Sequence, residues 1–356
     1  MSITELFRTK GKTESVVLID IGTKSVAGAY VHYEEGKIPV VLYTRRLPIE
    51  MRENEPKDRA MLRALQILGA TLVREGAPVL LRATGSGSAH SVFVSLDAPW
   101  QKTFVRTEIF EQEAPFVFTK NFVAAILQKT DTKVPGMVLA DQSIIGTTLN
   151  GYTTRDPYGK KATQASISIL TSYINEHIAK SVLSVLANTY HHRRIVPIAG
   201  SSLRYQTIQK IFPHELDTLI IDATNPFIST ALIRKGLLVS VIEMSESDPV
   251  DSWAHIVEKQ LGEISKIYPL PRTVFLLARE SDLSALKAMF GTMNVDGFWF
   301  SDNPPSIVGV IASHITNLVR QTTTTPPDLQ LLLMALFRQE HAFDRKDSHP
   351  LTAITP

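Results

Sequence analysis

Apolar and polar positions along the chain alternate between two periods. Val16-Val-Leu-Ile19 is a β-branched and aliphatic run that stops at Asp20, which predicts a buried strand. Ile21 to Ser25 predicts a tight turn, Val26 to Val31 a returning strand, Glu34 to Lys37 a second turn and Val40 to Tyr43 a third strand. The chain therefore opens on an antiparallel meander. Then the period changes. Met61, Leu65, Leu68 and Leu72 recur at spacings of four, three and four, which stacks them on one face of a helix over about 58–74.

Val79 to Leu81 predicts a short strand, and Gly85-Ser-Gly-Ser88 a flexible joint. A strand, Val92 to Leu96, follows the joint where a dinucleotide loop would need a helix, so the glycines read as a linker. Next come Phe104 to Ile109 as a strand, a helix over about 120–128, a strand over 143–149, a turn at Asn150-Gly151 and a strand over 166–170. With the Val92 strand at its head, this stretch reads as a small inserted α/β module. A helix over about 174–189 leads out of it to His191-His-Arg-Arg194. Two adjacent histidines do not share a helix face, and no third ligand stands at metal spacing, so this is a solvated basic helix end.

Thr218-Leu-Ile-Ile-Asp222 is a second strand that ends in an aspartate. A second meander, 228–233 and 237–242, turns around Lys235-Gly236. The next helix is expected to start with Asp248 as N-cap and Pro249 at the first helical position, with Trp253, Val257, Leu261 and Ile264 on one face. Val274 to Leu277 predicts a buried strand, followed by helices over 282–290 and about 306–320. Thr322 to Pro327 is a stiff polar linker. Leu329 to Phe337 is an apolar helix without a basic face, which suits a core position better than a membrane surface. Residues 344–356 read as a loose tail.

Composition narrows the class without choosing a function. The 356 residues are 44% hydrophobic, enough for two or three domains. Thirty-seven basic and 35 acidic residues leave a net charge of +2, so nothing global favours nucleic acid or an anionic membrane surface as partner. Cysteine is absent, which removes disulfide and thiolate chemistry and is compatible with a reducing cytosol. Met1 to Lys10 lacks the apolar stretch of a signal peptide, and no run reaches the roughly 20 apolar residues of a membrane span. The expectation is a soluble protein that meets a membrane only through a partner.

Two strand–Asp–turn–strand units thus lie about 200 residues apart, the layout of a duplicated domain pair facing across a cleft. Asp20-Ile-Gly-Thr-Lys-Ser25 resembles the first phosphate hairpin of the FtsA and PilM proteins. Asn150-Gly-Tyr-Thr-Thr-Arg-Asp-Pro-Tyr-Gly-Lys160 resembles the signature of that family's inserted SHS2 module. Val196 to Ala199 is similar to its connecting segment, and Leu332 to Arg338 to its last helix, packed on the first lobe. The resemblance implies an α/β, actin-like (ribonuclease H-like duplicated) two-lobed fold with an inserted SHS2 module and a reduced second lobe. It implies a first lobe from 1–85 and 173–214, the module at 86–172, a second lobe at 215–325, a terminal helix at 326–343 and a tail at 344–356. It also implies a phosphate cleft formed by Asp20, Gly22, Thr23, Lys24 and Ser25 of the first hairpin and Asp222 and Thr224 of the second. In such a cleft the turn N–H groups hold phosphate, and the aspartates hold Mg²⁺ through water rather than by direct coordination.

The sequence departs from the family's pattern at three places. The second hairpin has Asp222-Ala-Thr-Asn-Pro-Phe227 where the family has Asp-x-Gly-Gly-Gly-Thr, so side chains stand where backbone should approach phosphate, and Pro226 removes a donor. Ala278-Arg279 replaces the glycines of the adenosine-binding turn, which places an arginine where a purine would lie. Between the second meander and the Val274 strand there is room for little more than one helix. ATP and Mg²⁺ therefore remain open as cofactors, no catalytic residue is assigned, and both aspartates have the alternative role of ending strands and capping turns.

The resemblance implies a cytoplasmic scaffold recruited to the inner face of the cell membrane. Type IV pilus assembly in the manner of PilM is favoured, with an FtsA-like cell-division adaptor or a nucleotide-switched actin-like ATPase as alternatives. A small-molecule kinase on the same superfold is a third option. The expected partner is the cytoplasmic tail of an inner-membrane assembly protein. A pilus motor ATPase, the tubulin-like division protein and self-association are further options.

Overall fold

Three sheets organise the chain in the computed structural model, which describes residues 12–129, 134–154, 156–191, 194–244, 252–293, 297–299 and 305–342. In the first sheet, β1 (Thr13–Ile21) pairs antiparallel with β2 (Ser25–Glu34), and β2 with β3 (Val40–Pro48). On its other side β1 runs parallel to β4 (Ser91–Leu96), and β4 parallel to β9 (Ile195–Ala199). Residues 14–21 of β1 are all buried, and its middle, Val16–Ile19, is an unbroken apolar run, as a strand covered on both faces requires. Pro197 is tolerated because β9 is an edge strand.

The second sheet repeats this order. β10 (Thr218–Asp222), β11 (Ser229–Arg234) and β12 (Leu237–Glu243) form the meander, and β13 (Thr273–Leu277) and β14 (Ser306–Val310) run parallel beyond β10. The third, smaller sheet contains β5 (Gln101–Val117), β6 (Met137–Leu149), β7 (Tyr152–Thr153) and β8 (Lys161–Asn175), in the order β5-β8-β6-β7. Its β6–β7 hairpin turns at Asn150 and Gly151, both at positive φ, as a two-residue hairpin turn of this composition demands.

Several local expectations change. Val79 to Leu81 is helical. Helix α1 (Lys57–Thr71) passes through a π-helical turn, Leu72–Gly76, into α2 (Ala77–Thr84). The Ala77 N–H reaches back to the Leu72 carbonyl, so the ladder is already shifted where Pro78 lacks an N–H. Leu80 is buried on the stripe of Leu65, Leu68 and Leu72, which a three-residue window cannot reveal. By length and composition this continuous Lys57–Thr84 helix would also suffice to cross a membrane, contrary to the expectation of no such segment. Its apolar stripe packs on the first sheet.

The stretch 306–320, expected as a helix, is β14 followed by a 3₁₀ turn at Ala312–Ile315 and β15 (Arg320–Gln321), which pairs with β3. Ile307, Val308 and Val310 are β-branched, and a parallel place beside β13 takes them. The Val92 strand, β4, lies in the first sheet and not in the small one. Two segments were not anticipated as elements: Val196–Ala199 is within strand β9, and 200–211 forms α5 (Gly200–Ile211). The helix after β12 is α6 (Trp253–Ser265), capped by Ser252, whose side chain accepts from the His255 N–H. Asp248 and Pro249 lie outside the described residues, as do Met1–Gly11, Arg155, His192, Arg193 and 343–356.

Core layers follow from this topology. One face of the first sheet carries α1, α2 and α4 (Glu176–Tyr190). The outer face of the second carries α6 and α7 (Leu283–Gly291). Between the two sheets lie α5 and α8 (Leu329–Ala342), in a shared core that runs from Val16 and Leu18 to Ile220 and Phe275. Residues 329–335, Phe337 and Arg338 of α8 are all buried, so this helix is interior structure. Arg338 donates from Nη2 to both carboxylate oxygens of Glu14, at 2.8 and 2.9 Å, which ties α8 to β1.

The small sheet covers one face with α3 (Lys120–Lys129). Its other face packs Val105, Ile145 and Leu170 into the core shared by the larger sheets, close to Val241 of β12. Glu243 fastens this contact, accepting from Gln101 Nε2 at 2.8 Å and from the Thr103 N–H at 2.9 Å. Burial pushes the Glu243 carboxyl upward, against the hydrogen bonds it accepts.

Candidate functional site

The two aspartate-ended strands bring their turns together between the large sheets. Asp20 closes β1, its side chain buried, and Oδ2 accepts from Arg46 Nη2 of β3 at 3.0 Å. Gly22 N–H closes the turn onto the Ser25 carbonyl at 3.0 Å. Thr23 Oγ1 donates to the Ala98 carbonyl at 2.9 Å, which pins the turn to the loop after β4. Ser25 Oγ accepts from Arg46 Nη1 at 2.7 Å, and Lys24 is exposed. Arg46 also holds Asp328 through Nε at 2.6 Å and Gln330 at 2.7 Å, so the first residues of α8 and the first turn share one guanidinium.

The second turn has its own cation. Asp222 Oδ1 accepts from Thr224 N at 3.0 Å and from Thr224 Oγ1 at 2.6 Å, an Asx-type closure of the turn. Asp222 Oδ2 pairs with Arg204 Nε on α5. Arg204 Nη2 stands 2.8 Å from Asp97 Oδ1, just after β4, and Asp97 Oδ2 accepts from Asn225 Nδ2. Arg204 is 5% exposed and its two carboxylate partners less than that, so the bridge is buried. Gly200 is required next to it, because a Cβ there would clash with Asp97 Oδ1. Gly22 is required for a similar reason, since a Cβ would come within 2.7 Å of Asn225 Oδ1. The tips of the two turns therefore touch.

Electrostatics match this geometry. Burial pushes the Asp20 carboxyl up to about 7, against the pull of Arg46, with Asp97 and Asp328 adding to the rise. Its Oδ1 has no hydrogen-bond partner among the described residues. Burial likewise pushes Asp97 upward, opposed by Arg204. For Arg46 and Arg204 burial alone would lower the pKa, but the flanking carboxylates outweigh it and both are pushed up.

The structure gathers Asp20, Gly22, Thr23 and Ser25 with Asp222 and Thr224 around one centre and leaves Lys24 at the surface. It adds Asn225, from the second turn itself, and Arg46, Asp97, Arg204 and Asp328, which carry no local sequence signal because each reaches the centre from a different segment. A magnesium–triphosphate group would need the carboxylate oxygens and the space between the turns. Here Arg46 and Arg204 each hold one oxygen of Asp20 and Asp222, Thr224 holds the other Asp222 oxygen, and the Asn225 side chain stands against Gly22, so the residues as arranged do not fit that group. Arg279, expected where a purine would lie, is 72% exposed and pairs with Asp282 at 3.0 Å, while Ala278 is buried. Among the described residues no group of three or more His, Cys, Asp or Glu could hold a metal ion.

Comparison with solved structures places this architecture. The chain is similar to one from a PilM–PilN type IV pilus biogenesis complex, with a TM-score of 0.53 at 14% identity, over 91% of this chain and 98% of that one. A Bacteroides thetaiotaomicron protein with an actin-like ATPase fold and unknown function matches with a TM-score of 0.40 at 12% identity, over 83% of this chain and 96% of that one. Ethanolamine utilization protein EutJ from Carboxydothermus hydrogenoformans matches with a TM-score of 0.36 at 10% identity, over 92% and 88%. No protein-family model and no curated protein matches the sequence. The fold is actin-like, with two sheets of the same strand order.

Proposed function

We propose that this protein is a cytoplasmic scaffold of a membrane-associated assembly machine, of the type IV pilus kind, that docks the tail of an inner-membrane protein. The observation that supports this reading is the likeness to the PilM–PilN complex, which extends over nearly all of that chain and most of this one. The small sheet, read from its Asn-Gly-Tyr motif as an SHS2-type module, is the element proposed to face the partner. Its first and last strands pair at Gln101 and Ile174, so the module leaves and rejoins the first lobe at one point.

The same reading makes the cleft a structural joint rather than an ATPase. Phosphoryl transfer needs positioned phosphates and a metal-borne charge. The internal arginines supply that charge to the aspartates instead, and weak or no ATP hydrolysis follows.

The test is excision of residues 102–173 with a short glycine join, followed by cross-linked purification from the native cell. The excision keeps β4, which a cut at 86 would remove. Recovery of an inner-membrane pilus protein with the intact chain, and its loss with the excised chain, is expected. Recovery of the tubulin-like division protein would move the chain to a division adaptor. Micromolar Mg-ATP binding that vanishes in Asp20→Ala would restore the nucleotide switch.

A further inference from the structure

Strand β5 is a long sheet edge. It is the end strand of the small sheet, bonded on one side to β8, and no described strand pairs on its other side. Of the five other sheet edges, three are blunted. β15 and β7 have two residues each, and β9 carries Pro197. The Thr103 N–H leaves the sheet to reach Glu243, so its backbone points away from β8. By the two-residue period of a strand, Val105, Thr107 and Ile109 direct their N–H and C=O groups outward as well.

This window has two ends. At one, Glu243 takes the Thr103 N–H. At the other, a register shift between Glu111 and Phe116 contains Glu113 and Pro115, the usual devices that stop strand addition. Between them lies Phe104-Val-Arg-Thr-Glu-Ile-Phe110, which is self-complementary about Thr107. Turned antiparallel against itself, Arg106 faces Glu108, Val105 faces Ile109, and Phe104 faces Phe110. Within one strand Arg106 and Glu108 already share a face, 3.8 Å apart. Phe104 is 47% and Ile109 66% exposed.

We infer that β5 is a homodimer interface, in which two copies of this chain pair their β5 edges antiparallel about a two-fold axis at Thr107. A two-fold interface requires each residue to meet its own complement, and this segment satisfies that at every position. Opposite charges and apolar side chains directly across a strand pair stabilise it. The small sheets of both copies become one continuous sheet, and the exposed edge disappears. The inference does not depend on the partner assigned above.

Sedimentation equilibrium on the full chain tests it. The wild type is expected to show a monomer–dimer equilibrium. Arg106→Glu and Glu108→Arg each place like charges across the axis twice, and each is expected to raise the dimer Kd by roughly tenfold or more. An equimolar mixture of the two variants restores opposite charges in a heterodimer and is expected to recover the wild-type Kd. The chain has no cysteine, so Thr107→Cys introduces a single thiol. Oxidation is expected to link two chains at that point, where facing Cα atoms lie about 5.5 Å apart. Ile109→Lys, at an exposed position, serves as a second disruptor if a charge reversal fails to fold by circular dichroism. A chain that stays monomeric at every attainable concentration, a dimer whose Kd ignores these substitutions, or charge-reversed variants that do not pair on mixing would each overturn the inference.

Discussion

Asp20 and Asp222 end equivalent strands of two sheets that share one strand order, yet their turns are built differently. The first turn keeps Gly22, leaves Lys24 at the surface and meets a guanidinium, Arg46, that is 29% exposed. The second turn has no glycine, closes on itself through Thr224, and meets Arg204, which is 5% exposed and bridges two carboxylates from different sheets. The backbone topology is duplicated and the chemistry is not. The first turn is a partly wet ion-pair site, and the second is a buried latch between the halves of the molecule. A shared strand order therefore does not fix the chemistry of the turns it brings together.

The sharpest test of this contrast is to remove each cation in turn. Arg204→Ala leaves Asp97 and Asp222 buried without a countercharge and is expected to cost about 3–5 kcal/mol in urea denaturation. Arg46→Ala should cost distinctly less, because Asp20 is already inclined to take up a proton. Equal costs would break the comparison.

Contact between the turn tips can be tested next. Gly22→Ala is expected to cost about 1–3 kcal/mol through the clash with Asn225. In Asn225→Ala the same change should be nearly neutral, and a double-mutant cycle measures the coupling. Additive effects would show that the tips do not touch in solution.

A smaller effect concerns pH. The folded Asp20 carboxyl titrates near 7 and its unfolded form near 3.8, so between those values the folded state holds the extra proton. The Asp20 contribution to stability is then greatest at low pH and falls as pH rises from about 4 to about 7. Asp97 and Glu243, also pushed up by burial, give slopes of the same sign. Asp20→Asn mimics the protonated form and should flatten this dependence, becoming more stable than wild type above pH 8. A variant with an unchanged pH profile would count against the raised pKa. The smallest expected effect is that of Mg-ATP, which should leave Tm unmoved at millimolar concentration. A rise of several degrees would show that the cleft can open and bind.

Much of the fold was legible because its signals are local. The runs Val16–Ile19 and Thr218–Ile221 announce buried strands, the stripe Met61–Leu72 a helix, and Asn150-Gly151 a hairpin turn. Errors came where a short window was ambiguous. Val79–Leu81 extends a helix past a proline because a π turn absorbs it, and 306–310 has β-branched residues that a parallel strand position uses. Helix α5 gives no clear apolar period because its buried positions mix Ser201, Ser202, Arg204 and Thr207 with Leu203, Tyr205 and Ile208.

Sequence alone determined the two Asp-ended strands, the meanders, a second turn without glycine and the absence of cysteine. These depend on residues within a few positions of one another. Tertiary structure decided which charges meet. Asp20, Arg46 and Asp328 come together from β1, β3 and the start of α8, and Asp97, Arg204 and Asp222 from three further segments. The reason is physical. A buried carboxylate must find a countercharge wherever the fold brings one within hydrogen-bond reach, and that distance is set by sheet order and helix packing, not by separation along the chain.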